Sequence, residues 1–273
     1  MAAAEEIEPR PSAKPATLNR PIRKFVKKRG KRLMRWVAQF QAKDGLVPDT
    51  PFIGNDHFPF LREFEEKSEA MREEVLEILK HREAIPGFEQ VSPDQHRIAK
   101  AQQWKTFILY GFGDRLEKNC RQAPVTAEML SRVPNVQTAW FSILAPGYHI
   151  PAHTGVTKGI VRAHVGLIIP KDREKCRIRV ADEVRAWKEG EAFAFDDTFE
   201  HEVWNDTDEE RVILLFDFDR PMRWRGRLLN KLMLNLMKLT AFYQEPKKNL
   251  ADFEARFEAA TRRADANLEK LSD

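Results

Sequence analysis

Seven histidines are spread along this 273-residue chain, and three fall where strand geometry can gather them with two arginines. His153 follows the turn-rich run Ala145-Pro146-Gly147-Tyr148-His149-Ile150-Pro151-Ala152, in a loop leading to a β-prone stretch at Ile160. In that stretch Arg162 and His164 stand two apart, so they project from one face of a strand. Both would be costly to bury unpaired in an apolar core, which argues for a polar, functional interior. His201 opens His201-Glu-Val-Trp204 and Arg211 opens Arg211-Val-Ile-Leu-Leu-Phe216, with the turn Asn205-Asp206-Thr207-Asp208 between them. Read as an antiparallel hairpin, this sets His201 opposite residues 211–212, subject to register. A histidine beside an arginine needs something anionic between them, and a metal-bound dicarboxylate would fit.

Two histidines and one carboxylate on a single face form the common non-haem iron(II) arrangement, with positions left open for co-substrate and oxygen. Here the residue two after His153 is Gly155, so the usual His-x-Asp carboxylate is missing. Spacing alone leaves both a metal site and structural histidines open, with the metal site ahead.

The elements that must carry these residues are short and β-rich: Val136–Leu144, Ile160–Ile169, Cys176–Val180, Arg185–Trp187, Ala192–Phe195, His201–Trp204 and Arg211–Phe218. Many short strands joined by turn chemistry predict a sandwich or barrel, and a jelly roll is the expected version. Gln103–Phe112 is aromatic and β-prone, an expected outer strand. Phe60–Glu83 carries apolar residues at helical spacing, and Pro124–Arg132 reads as a short helix with Thr126 a candidate cap.

The flanks differ in character. Residues 1–19 read as a disordered tail. Residues 20–59 combine a basic amphipathic segment (Arg23 to Arg35, interleaved with Phe25, Val26, Leu33, Trp36 and Val37) with a linker. The β domain with its leading helix spans 60–221. A basic, helical extension fills 222–273, with Leu229, Leu232, Met233, Leu236 and Met237 along one side of Leu228–Thr240 and a polar terminal helix over 246–273. Such helices lie on anionic lipid with the apolar face in the interface. Packing on the domain itself fits them equally well, and basic charge alone says little for nucleic acid.

The net charge of +4 and two cysteines, Cys120 and Cys176, exclude a disulfide framework. No stretch has the apolar length of a membrane span, and Met1-Ala-Ala-Ala-Glu5-Glu6 lacks the start of a secretory signal. The expectation is a cytoplasmic protein, soluble or peripheral on the inner membrane face.

The segments Ser142-Ile-Leu-Ala-Pro-Gly-Tyr-His-Ile-Pro-Ala-His153-Thr-Gly, Arg162-Ala-His164-Val-Gly-Leu, Phe195-Asp-Asp-Thr-Phe-Glu-His201-Glu-Val-Trp-Asn and Arg211-Val-Ile-Leu-Leu-Phe resemble the aspartyl/asparaginyl β-hydroxylase family over roughly residues 100–220. The resemblance implies a double-stranded β-helix, cupin-like, and an iron(II)- and 2-oxoglutarate-dependent dioxygenase using O2. It implies iron held by two histidines only, His153 and His201, which removes the difficulty of Gly155. Arg211 would bind the distal carboxylate of 2-oxoglutarate with Ser142, and Arg162 and His164 would line the co-substrate side. Trp104 matches a family aromatic across gaps, as a substrate contact. Asp196, Asp197, Glu200 and Glu202 flank His201, and one could orient its ring, although a solvated turn suits most of them.

The family includes enzymes acting on Asp or Asn in proteins and bacterial enzymes acting on lipid acyl chains. The two basic flanks favour an acyl chain of a membrane lipid. A peptide or small amino-acid derivative is the alternative, and a non-catalytic jelly-roll binding module is the second.

Overall fold

The computed structural model describes residues 33–92, 97–238 and 249–262. The sequence segment 1–32, with the expected tail and most of the basic amphipathic run, lies outside them, as do 239–248 and 263–273.

Strand alternation builds the core. Strands β1 (Phe52–Ile53), β2 (Trp104–Gly111), β3 (Asp114–Arg115), β4 (Val136–Leu144), β6 (Ile160–Ile168), β9 (Ala192–Phe195) and β11 (Arg211–Asp219) form one sheet in the order β1-β9-β6-β11-β4-β2-β3. Strands β5 (His149–His153), β7 (Cys176–Val180), β8 (Glu183–Ala186) and β10 (His201–Asn205) form a second, in the order β5-β10-β7-β8. Two facing antiparallel sheets of unequal size make the expected jelly roll, a mainly β core with flanking helices.

The period of two gives the large sheet two different faces. One set of residues, including Phe141, Val161, Val165, Leu214 and Phe216, packs against a helical layer. That layer holds α2 (Leu61–Glu66), α3 (Ser68–Leu79), α5 (Glu117–Gln122) and α6 (Pro124–Arg132), and Phe64 stacks on Phe216 at 4.8 Å. The alternate set, including Trp140, Ile213, Leu215, Phe193 and Phe195, looks across to Ile150, Ile178, Val180 and Val203 of the small sheet. Arg162, His164, Ser142 and Arg211 belong to this second set by register, since Asp217 pairs with Arg162, Leu215 with His164, Ile213 with Ser142 and Arg211 with Leu144.

Several expectations change. The segment holding His149 and His153 is strand β5 rather than a loop. The expected helix over 60–83 is two, broken at Lys67. Strand β2 is buried almost throughout and lies one place in from the sheet edge. Thr126 does not cap α6: Ala123 precedes the helix, and the Glu74 carboxylate of α3 accepts from the Val125 and Thr126 N–H groups and the Thr126 hydroxyl. This satisfies donors that the helix start leaves open.

His201 and Arg211 are not hairpin neighbours. Strand β10 pairs with β5 and β7, whereas β11 pairs with β4 and β6. Buried Asn205 explains the crossing. Its amide donates to the carbonyls of Ala145 (3.0 Å) and Glu209 (2.9 Å), while its oxygen accepts from Thr207 (2.7 Å). These bonds carry the chain from one sheet to the other.

Two more helices, α1 (residues 33–44) and α7 (Trp224–Lys238), lie outside the barrel and are fixed to each other and to it. Gln41 donates to Asn230 (3.1 Å) and Asn230 donates to the Gly159 carbonyl (2.9 Å). Helix α8 (residues 249–262) is not polar on all sides, because Leu250 and Phe257 are buried and Phe257 packs on Phe107 at 4.7 Å. Among the described residues no helix is long and apolar enough to cross a membrane.

Candidate active site

His153 and His201 stand directly opposite each other on β5 and β10, with ring centroids 4.2 Å apart. A bulge in β5 around Pro151 and Ala152 brings them there: His201 pairs with His153, but Val203 already pairs with Ile150. Proline suits an edge strand at a bulge because it has no ladder N–H to lose. The bulge also turns the Pro151 carbonyl toward the His153 ring, whose Nδ1–H donates to it at 2.8 Å. The Nδ1–H of His201 donates to the Phe199 carbonyl at 2.9 Å. Both rings are thereby fixed with the Nε2 lone pair outward, and buried Nε2 of His201 has no protein partner. Burial above all keeps the two rings neutral. The pKa of His153 is lowered, and that of His201 is pushed down to about 3 with help from His153 and Arg162.

Neutral, oriented imidazoles with open Nε2 atoms are the metal-binding form of histidine. Among the described residues, no group of three or more His, Cys, Asp or Glu side chains is arranged to hold a metal ion. A metal here would therefore draw two ligands from these residues and the rest from small molecules.

Deeper in, the polar groups left without a partner are donors. Arg211 is 1% exposed, pairs with no carboxylate among the described residues, and lies 4.9 Å over the Trp187 ring. Burial pulls its pKa well below the guanidinium range, to about 10, and its Nε–H is unpartnered. Ser142 Oγ accepts from Trp104 Nε1 (2.9 Å) and from Arg211 Nη1 (3.4 Å), so its own proton is left to give. His164 Nδ1 accepts from Trp187 Nε1 at 3.3 Å, which puts its proton on Nε2, where nothing accepts it. Burial, with Arg162 and Arg211 adding, holds this imidazole neutral. A buried cation beside the free donors of Ser142 and His164 makes a site suited to an anion.

Arg162 is already engaged. Its Nε and Nη2 donate to the two Asp217 oxygens at 2.7 and 2.9 Å, and Nη2 lies 3.4 Å from Asp197. Against the cost of burial, these carboxylates raise its pKa. Arg162 lines the site with its charge compensated, unlike Arg211.

The carboxylates before His201 differ from the solvated turn expected. Asp196 is fully buried and paired with Arg220 and Lys158, which ties down the loop entering β10. Asp197 is buried too, and burial, with Asp217 and Asp196 adding, raises its pKa. Its side chain fills the space where a Cβ on Gly155 would stand. Asp197, read from the sequence only as a residue flanking His201, thus belongs to the site, beside the glycine where a carboxylate was looked for. Neither the Asp196 nor the Asp197 carboxylate orients His201, a task taken by backbone, chiefly the Phe199 carbonyl. Glu200 and Glu202 bind Arg179 instead. Trp104, expected as a substrate contact, lines the cavity that opens from the histidines and also holds Ser142 while stacked on Phe88 at 4.3 Å.

From the histidines a cavity of about 630 Å³ opens outward, bounded by Trp140, Ile108, Val91 and Leu250 and by Leu234 and Met237 of α7.

Residues 65–221 match the family described as Aspartyl/Asparaginyl beta-hydroxylase. The chain belongs to that family. An ornithine lipid ester-linked acyl 2-hydroxylase from Rhizobium tropici is 37% identical over 227 residues, 83% of this chain and 81% of that protein. The aspartyl/asparaginyl beta-hydroxylase of Homo sapiens is 39% identical over 134 residues, 47% of this chain but 17% of its own length. Among solved structures, the cupin domain of Schizosaccharomyces pombe Cnp3 overlaps 48% of this chain and 71% of its own at a TM-score of 0.32 and 14% identity. The jelly-roll assignment of this hydroxylase-family protein rests on its own strand order.

Proposed function

We propose that this protein is an iron(II)- and 2-oxoglutarate-dependent dioxygenase that hydroxylates the acyl chain of a membrane lipid. The observation that carries the lipid reading is the cavity. Its walls join large apolar side chains (Val91, Ile108, Trp140, Leu234 and Leu250) to polar and charged ones (Arg97, Gln137 and Glu200), with α7 and α8 closing part of it, and a lipid with an apolar chain and a polar head needs both kinds of wall. The long match to a lipid acyl hydroxylase supports it, because 227 residues exceed the 65–221 segment and so include flanking sequence.

In this reading His153 and His201 hold the metal, with their rings set beforehand by the Pro151 and Phe199 carbonyls. The metal and the 2-oxo acid would supply the oxidising chemistry with O2, one oxygen atom entering succinate as 2-oxoglutarate loses carbon dioxide and the other converting C–H to C–OH. Arg211 and the Ser142 hydroxyl take the far carboxylate of the co-substrate, an anion suited to a buried guanidinium that pairs with no carboxylate among the described residues. Trp104 keeps Ser142 aimed. His164 offers its Nε2–H to an oxygen at the inner wall. Arg162, fixed by Asp217, bounds the site without an unpaired charge, and Trp140 and Ile108 keep water from the chain to be oxidised.

Mass spectrometry of lipid extracts from cells expressing the wild type or His201→Ala tests the reading. A lipid gaining one oxygen only with the wild type is expected. Identical lipid profiles, alongside succinate formation driven by an Asp- or Asn-containing peptide, would replace lipid by peptide.

A further inference from the structure

Helix α7 has two apolar faces where the sequence predicted one. Its inner side, Gly226, Asn230, Leu234 and Met237, is buried or half-buried, with Asn230 bonded to Gln41 and the Gly159 carbonyl. Leu232 and Leu236, expected on that side, instead face outward. With Trp224 and Leu228 they form a row at steps of four that is 63, 64, 55 and 52% exposed in chain order. Residues four apart stack on one helix face, so this is a continuous stripe. Single exposed leucines need no explanation, but a stripe of four large side chains does.

We infer that α7 docks the protein on an anionic membrane surface, with Trp224, Leu228, Leu232 and Leu236 in the interface. Charge selects this occupant. Arg225, Arg227 and Lys231 are exposed beside the stripe, and no Asp or Glu occurs from Arg220 to Gln244. A second copy docking here would bring like charges together across a two-fold axis, which opposes pairing. An anionic bilayer meets both features, since each Lys or Arg near it raises partitioning about fivefold, and Trp belongs at the interface. Neighbouring α1 adds exposed Leu33 and Trp36. The opposite side of α7 is a wall of the cavity, so one helix thickness separates the docked face from the path to the histidines. The inference stands on the outer face of α7 and deepens the lipid reading without depending on it.

The test is flotation of the full chain with vesicles of phosphatidylcholine alone or with one third phosphatidylglycerol. Flotation is expected with the anionic vesicles only, weakening as salt rises. Leu228→Ser with Leu232→Ser should lower binding at least tenfold, and Arg225→Gln with Arg227→Gln and Lys231→Gln should remove the preference for anionic lipid. Both variants alter exposed residues outside the site, and unchanged thermal unfolding and unchanged stabilisation by 2-oxoglutarate would verify the fold. Equal flotation of the leucine variant would overturn the inference and assign binding to another part of the chain. A wild type that ignores vesicles but forms a dimer abolished by the same two substitutions would overturn it in favour of self-association. Loss of flotation with retained hydroxylation of detergent-dispersed lipid would separate docking from chemistry.

Discussion

Replacing Arg211 by Met should stabilise the protein without co-substrate and abolish its response to 2-oxoglutarate. The guanidinium is buried with no carboxylate partner among the described residues, and its pKa falls to about 10. At about 1.36 kcal/mol per pK unit, that depression corresponds to about 3 kcal/mol against folding. The sign follows from linkage. A base depressed on folding is penalised in full below its folded pKa and relieved as pH rises from about 10, so the whole penalty applies at neutral pH. Methionine fills similar apolar space beside Trp187, and the melting temperature of the metal-free protein should rise by roughly 6–12 °C, at about 2–4 °C per kcal/mol for chains of this size, less any packing loss. The co-substrate shows the opposite. Charge-assisted hydrogen bonds contribute about 1.5–3 kcal/mol each, so losing a two-pronged contact should raise the 2-oxoglutarate concentration required by roughly 10²–10⁴-fold. Differential scanning fluorimetry with and without 2-oxoglutarate reads both effects in one experiment. A variant less stable than the wild type that still gains stability from 2-oxoglutarate would refute both the unpaired charge and its role.

His201→Ala and His153→Ala should each lose iron(II) in metal analysis after desalting, with His201→Ala also costing about 1–3 kcal/mol of stability because the Phe199 carbonyl loses the buried ring as its donor; chelation should silence the wild type and added iron(II) should restore it. Gly155→Ala should cost about 1–3 kcal/mol in chemical denaturation, because its Cβ drives into the Asp197 carboxylate, and Asp197→Ala should recover most of that loss in a double-mutant cycle. Arg162→Met should cost about 3–5 kcal/mol by leaving Asp217 and Asp197 buried without their cation; a neutral effect on the urea midpoint would show that those carboxylates are otherwise compensated. Asn230→Ala should free α7 and α1, exposing both to limited proteolysis while the strands stay protected.

The strands were legible because alternation and turn chemistry bound them, and because Arg162 and His164 can share a face only on a strand. Arg211 and Ser142 were legible by resemblance, and burial supplies the reason: an arginine sealed in without a carboxylate. The crossing at Asn205 was hidden. Asn205-Asp206-Thr207-Asp208 has the residues of a hairpin turn, and only the bonds from Asn205 to Ala145 and Glu209 send its two strands to different sheets. The sequence therefore suggested the right pair, His201 and Arg211, by the wrong geometry: they face each other across the sandwich. Asp197 was named for its place beside His201, but its burial against Gly155 was hidden because a glycine leaves no trace of what occupies its space. On α7, spacing defined an apolar arc but could not tell which part of it the barrel would claim.

The placing of the two histidines has a consequence for lifetimes. His201 lies on β10, hydrogen-bonded on both sides, whereas His153 ends β5, an edge strand paired on one side only and interrupted by a bulge. Edge strands open at lower free energy than interior ones. Amide hydrogens of β5 should thus exchange well before those of β10, and a captured ion should slow β5 most. An ion held as proposed would then be released by peeling His153 away while His201 kept its hold, without the barrel unfolding.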